Sequence, residues 1–183
     1  MTPEDASKFI AYVLRHAPES VGLRLDTEGW AGIDDLVAGA VASGRDLTRP
    51  DVVRAVDSGM KKRYELSGDG LRIRALQGHS TAQVSRSFEA VTPPALLFHG
   101  TATRFLAAIR VQGLLPGARQ HVHLSADEAT AVQVGRRHGK ALVLRVDTGR
   151  MHALGHAFHL AENGVWLTAC VPPEFLSEPG PSA

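Results

Sequence analysis

Three apolar stripes at helical spacing, followed by a segment in which apolar and polar residues alternate, set the tightest limit on how the N-terminal part of this chain can fold. Thr2-Pro3-Glu4-Asp5 combines a hydroxyl cap, a proline for the first turn and acids for the positive end of the helix dipole. Phe9, Ile10, Val13 and Leu14 follow on one face, and the helix should stop near Ala17-Pro18, because a proline disfavours helix in the residue before it. A second helix is predicted from about Ile33 to Ala42, closed by Gly44. A third begins after Thr48-Arg49-Pro50, carries Val52, Val53 and Val56, and ends before Ser58-Gly59. Tyr64 and Leu66, then Leu71 and Ile73, alternate with polar neighbours on either side of Ser67-Gly68-Asp69-Gly70, which predicts a β-hairpin. Helices followed by a hairpin give a winged-helix-like lobe over residues 1–80, an architecture common on nucleic acids but no proof of function.

From Gly78 to Pro94 the period fades and Ser, Thr, Gln and Pro accumulate, which places a linker over residues 81–94. The second lobe, 95–183, opens with the apolar run Leu96-Leu97-Phe98 leading into His99-Gly100-Thr101. A short helix is expected over about Thr103 to Val111, ending at Gly113. Val122 and Leu124 read as a strand. Ser125-Ala126-Asp127-Glu128 has capping-box spacing and should start a helix running to about Val134. Ala141 to Val146 and Val165 to Val171 read as buried strands, and Ser177 to Ala183 as a frayed end. The expected fold class is therefore α+β, with a β-rich second lobe.

The formal net charge of +1 argues against a generic polyanion-coating protein. The cations are lopsided, with sixteen Arg to four Lys. A guanidinium fork suits bidentate phosphate recognition where an ammonium is a point charge, although codon bias in an Ala- and Gly-rich chain produces the same excess. No apolar run approaches the length of a bilayer span, and Met1 to Ser7 lacks the basic start of a secretory signal. The single cysteine, Cys170, excludes an internal disulfide, fits a reducing cytoplasm and reads as a core residue of the Trp166–Val171 stretch. A monomer is the default expectation.

The residue types that could carry chemistry are scattered. Arg15-His16 sets a cation beside an acid–base group at a helix end, where cations also suit the dipole. Lys61-Lys62-Arg63 enters the hairpin and reads equally as a solvated turn or as a phosphate contact. His99-Gly100-Thr101 follows a strand, so the glycine would let a ligand approach the backbone. His121 and His123 share a strand face, a zinc-like pattern for which a third ligand at a recognisable spacing is missing. Trp166, after the Asn163-Gly164 turn, reads as packing.

Together these segments resemble the NAD-dependent RNA 2′-phosphotransferase family, whose members act in the last step of tRNA splicing in fungi and plants. The matching pieces are Leu14-Arg15-His16, Lys62-Arg63-Tyr64, Ile73-Arg74-Ala75, Gln77-Gly78-His79-Ser80 and His99-Gly100-Thr101. Further on come Arg119 with His121-Val122-His123-Leu124-Ser125, then Val134-Gly135 and Asn163-Gly164-Val165-Trp166-Leu167. They run in the family's order from about Ser7 to Pro173, with Tyr64 where Phe is more usual.

The resemblance implies an N-terminal winged-helix-like RNA lobe and a C-terminal lobe of the ADP-ribosyltransferase type. It implies a catalytic tetrad of Arg15, His16, Arg63 and Arg119. It also implies an NAD site at His99, Gly100 and Thr101, with His123, Leu124, Ser125 and Val165 beside them. Val165 stands where many ADP-ribosyltransferases carry an acceptor-activating Glu, which a phosphate nucleophile does not need. By the same resemblance NAD would be consumed as co-substrate, no metal would be required, and the partner would be an RNA bearing an internal 2′-phosphate. Two alternatives stay open: an ADP-ribosyltransferase that caps terminal phosphates of RNA or DNA, and a non-enzymatic RNA-binding module.

Overall fold

The computed structural model describes residues 1–57 and 62–178, and its contacts divide the chain into two units, Met1–Ser87 and Phe88–Ala183. Ser58, Gly59 and Lys61, read above as a helix end and a basic turn, fall outside the described residues, as does most of the tail read as frayed. The architecture is mixed α and β, with six α-helices and three small antiparallel sheets among the described residues.

In the first unit, helix α1 spans Pro3–Arg15, and its Thr2 cap accepts from Asp5 N–H at 3.2 Å. Ile10, Val13 and Leu14 are fully buried, as the stripe predicts. The helix ends three residues before Pro18, where the chain turns through a short 3-10 segment to Gly22. Strand β1 (Ala31–Gly32), helix α2 (Ile33–Ala42) and helix α3 (Arg49–Asp57) follow. The hairpin forms from β2 (Tyr64–Leu66) and β3 (Arg72–Ala75), paired Tyr64 to Ala75 and Leu66 to Ile73. The short β1, unmarked by any periodicity, adds to the other side of β3, giving the order β1-β3-β2.

Part of the stretch read as a linker packs into this unit. Val84 is 1% exposed within the same core as Ile10, Leu36 and Tyr64. Arg86 is buried too; it donates to the Leu76 carbonyl and lies 3.8 Å from Glu28.

The second unit holds two sheets. Strand β4 (Leu96–Ala102) pairs along its whole length with β6 (Ala141–Asp147), and β9 (Leu176–Ser177) adds beyond β6. Strand β5 (Val122–Leu124) pairs with β8 (Trp166–Thr168), which pairs with β7 (His159–Leu160). The expected strand from Val165 to Val171 is thus only three residues long. A bridge between Phe98 and Ser125 joins the two sheets.

Helix α4 (Leu106–Gln112) follows a 3-10 turn, helix α5 is Glu128–Arg136, and helix α6 is Thr148–Ala153. The cap of α5 is Asp127, which accepts from Thr130 N–H at 2.7 Å, not Ser125. Ser125 is committed elsewhere, exchanging both backbone bonds with Phe98 at 2.8 and 2.9 Å. Trp166 and Leu124 lie in the second core, whereas Cys170 is half-exposed and not the core residue its apolar neighbours suggested.

Candidate functional site

Residues expected to act on phosphate occupy both units, and each unit builds its share locally. In the first, Arg15 is the last residue of α1 and His16 is its C-cap. The segment Gly78–Thr81 closes on that end: Ser80 N–H and Thr81 N–H both donate to the Arg15 carbonyl, at 2.8 and 3.2 Å. The orphan carbonyl of a helix C-terminus is satisfied in this way without an αL glycine. His16 Nδ1 is hydrogen-bonded to Ser80 Oγ at 2.9 Å, and the His16 ring is exposed.

Arg63 reaches the same helix from the hairpin, donating from Nη1 to Ser7 Oγ at 3.3 Å. Beneath it the buried Tyr64 hydroxyl donates to the Ser7 carbonyl at 2.5 Å. Burial raises the Tyr64 pKa, and the nearby Arg15 and Arg63 charges oppose that rise. His79 tells a similar story. Its side chain is 3% exposed, its Nε2 has no hydrogen-bond partner among the described residues, and burial pushes its pKa down to about 4. The charges of Arg15, Arg86 and His16 act in the same direction. Arg15 and His16 thus stand at the C-terminal end of α1, and Arg63 is tied to Ser7 nearer its start; the Arg15 and Arg63 charges both act on Tyr64, which, like His79, stays uncharged at neutral pH.

In the second unit Arg119 stands on the loop before β5 and donates from Nη1 to His123 Nδ1 at 3.0 Å. Burial, then the charge of Arg137, lowers the Arg119 pKa from its ordinary value. The His123 carbonyl accepts from His99 Nδ1, also at 3.0 Å. Burial lowers the His99 pKa, so the neutral ring carries its proton on Nδ1 and keeps a lone pair on Nε2. His99 opens a cavity of about 550 Å³ with Thr101, Phe105, Ile109, Leu115 and His138 among its walls. That volume suits part of a dinucleotide, and the lining is apolar with a few polar groups, as ligand pockets generally are.

The expected cofactor residues divide within this unit. His99, Gly100 and Thr101 line the cavity, while the Leu124 side chain is 1% exposed in the core. Gly100 has a reason beyond ligand approach. A Cβ there would overlap the Ala131 carbonyl oxygen and stand 2.9 Å from Gly135 N, so its absence lets α5 lie directly on β4. Gly135 answers from the helix side, where a Cβ would meet the Thr101 carbonyl at 2.6 Å. His123, read as a cofactor contact, has its ring engaged with Arg119.

Phe105, Ile109, Leu115 and His138, which line the cavity, carry no mark of it in the sequence. The apolar sequence of α4 reads as ordinary core, and only the fold shows that none of its side chains is fully buried. Among the described residues, no group of three or more His, Cys, Asp or Glu could hold a metal ion, and no helix is long and apolar enough to cross a membrane.

Comparison with known proteins gives a consistent answer. Residues 2–170 match the model of the family described as RNA 2′-phosphotransferase, Tpt1 / KptA family. The chain is 56% identical over 177 residues to a probable RNA 2′-phosphotransferase of Pseudomonas aeruginosa (strain UCBPP-PA14), covering 97% of each. It is 56% identical to one from Pectobacterium carotovorum subsp. carotovorum (strain PC1), over 94% of this chain and 92% of that one. A third, from Agrobacterium fabrum (strain C58), is 57% identical over 93% of this chain and 91% of its own length.

Proposed function

The chain belongs to the RNA 2′-phosphotransferase family, and from that premise we propose that it removes an internal 2′-phosphate from RNA by passing it to the ADP-ribose portion of NAD. The observation that carries this reading is the group of Arg15 and His16 at the C-terminal end of α1, with His16 held by Ser80, and Arg63, bonded to Ser7 of the same helix. Such a group is matched to a phosphoryl oxygen cluster and places an imidazole beside it.

In the first step a 2′-phosphate oxygen attacks the anomeric carbon of the nicotinamide ribose, and nicotinamide leaves. In the second the ribose 2″-hydroxyl attacks the phosphorus and the RNA 2′-oxygen leaves. The products are 2′-hydroxyl RNA and ADP-ribose 1″,2″-cyclic phosphate. Arg15, Arg63 and Arg119 neutralise charge developing on the non-bridging oxygens, a contribution of several kcal/mol in enzymes generally, on the order of 3 per donor. His16 exchanges the proton between the attacking hydroxyl and the departing oxygen.

NAD is assigned to the second unit. The acceptor lone pair of His99 Nε2 suits a ribose hydroxyl donor, and the apolar wall of Phe105, Ile109 and Leu115 suits an aromatic base. In this reading the first unit is the winged-helix-like RNA lobe and the second the ADP-ribosyltransferase-like NAD lobe. Nicotinamide release tests the first step. It should require both NAD and 2′-phosphorylated RNA, and the same RNA lacking the phosphate should release none. Release that is independent of the RNA would contradict the proposal.

A further inference from the structure

We propose that Ser80 is a positioning residue for His16: its hydroxyl fixes the imidazole ring so that Nε2 is the nitrogen presented to the phosphate. The proposal rests on the reading of His16 as the group that moves the proton.

His16 is exposed as the C-cap of α1. Ser80 Oγ holds Nδ1 at 2.9 Å. The hydroxyl is itself anchored to the residue next door, because Ser80 N–H and Thr81 N–H both close on the Arg15 carbonyl. Hydrogen bonds thus tie Ser80 to both Arg15 and His16. The backbone bonds would survive replacement of Ser80 by alanine. Among the described residues the side chain adds the contact to an exposed ring, which has little to offer stability and much to offer orientation.

The chemistry also favours a hydroxyl over a carboxylate in this place. A serine can donate to Nδ1 or accept from it. The bond therefore persists whether the imidazole holds one proton or two, and His16 can deliver a proton and take it back without losing its alignment. A carboxylate would bind the imidazolium form preferentially and hold its proton. Ring alignment matters at this scale, since small displacements of a proton-transfer group cost rate steeply.

The test uses the full chain with Ser80→Ala, Ser80→Thr and His16→Ala, following nicotinamide release, ADP-ribosylated RNA and cyclic product in single turnovers. Ser80→Ala should slow conversion of ADP-ribosylated RNA to product roughly tenfold or more, with nicotinamide release and Tm unchanged. Ser80→Thr should restore the rate. In the His16→Ala background, Ser80→Ala should add nothing. The ring-nitrogen NMR spectrum of His16 should change in Ser80→Ala, through loss of the hydrogen bond at Nδ1.

Wild-type rates and an unchanged His16 spectrum in Ser80→Ala would overturn the proposal. Should Ser80→Ala fold poorly, Ser80→Cys preserves the volume with a weak hydrogen-bonding group and is read in the same way. If His16→Ala itself runs both steps normally, the assignment of His16 fails. If His16→Ala is slow and Ser80→Ala is not, only the positioning role fails.

Discussion

Arg119 Nη1 donates to His123 Nδ1 across 3.0 Å. A guanidinium has no lone pair to offer, so the imidazole must supply the acceptor, and His123 in this arrangement is neutral with its proton on Nε2. The His123 ring, expected at the cofactor, is engaged with Arg119, and under the proposed function it anchors an arginine that binds phosphate. His123→Ala should lower turnover on 2′-phosphorylated RNA roughly tenfold with NAD affinity retained. His123→Asn, whose amide oxygen can accept in place of Nδ1, should recover much of that loss. Calorimetry with NAD beside steady-state rates checks this. A variant that loses NAD affinity alone would return His123 to the cofactor site.

Gly100 and Gly135 let α5 lie against β4 with no side chain between them. Gly100→Ala has no small adjustment available, because the overlap is with backbone. It should cost about 3 kcal/mol or more, seen as a Tm lower by roughly 10 °C. Gly68→Ala, at a position with nothing within 4 Å, is the matched control and should leave Tm unchanged. A Gly100→Ala protein of normal Tm that fails only to bind NAD would restore the ligand-approach reading.

Much of this was legible in the sequence for a clear reason. The stripe of Ile10, Val13 and Leu14 and the alternation of Tyr64 with Leu66 report burial directly, and α1, α2, α3 and the hairpin form where those patterns place them. Short elements were not legible. Two-residue strands such as β1 and β7 are decided by their partners, and no periodicity can register in two residues. Ser125 had the spacing of a cap but was taken by pairing to Phe98, a contact distant in sequence. The cavity walls stayed hidden because Phe105, Ile109 and Leu115 look like ordinary core residues until the fold leaves them partly uncovered. Likewise nothing local marks His99 and Arg119 as sharing His123.

His79 gives the first unit an acid sensitivity. Its folded pKa of about 4 lies below the ordinary value of 6.5, so between these values the unfolded chain binds a proton that the folded chain refuses. Stability therefore falls as pH drops from about 6.5 toward 4. The full penalty, present at and below the lower value, is about 3 kcal/mol. His79→Leu should flatten that stretch of the curve. Urea midpoints at pH 7 and pH 5 for both proteins check it, and parallel losses in the two would contradict it.

His99 is held neutral by burial, with Nδ1 donating to the His123 carbonyl and Nε2 left to accept. His99→Ala should weaken NAD binding about tenfold, the loss of one well-placed hydrogen bond. Phe105→Ala, removing part of the apolar wall, should weaken it by a similar factor. Titration calorimetry with NAD measures both. Unchanged affinity in both variants would place NAD elsewhere.

The most direct test of the central claim follows the phosphate itself. A short RNA with one internal, radiolabelled 2′-phosphate is incubated with the protein, with and without NAD, and the products are separated. The account predicts that label leaves the RNA only when NAD is present and appears in ADP-ribose 1″,2″-cyclic phosphate. Label retained in a larger, ADP-ribosylated RNA, or no NAD-dependent change at all, would contradict it.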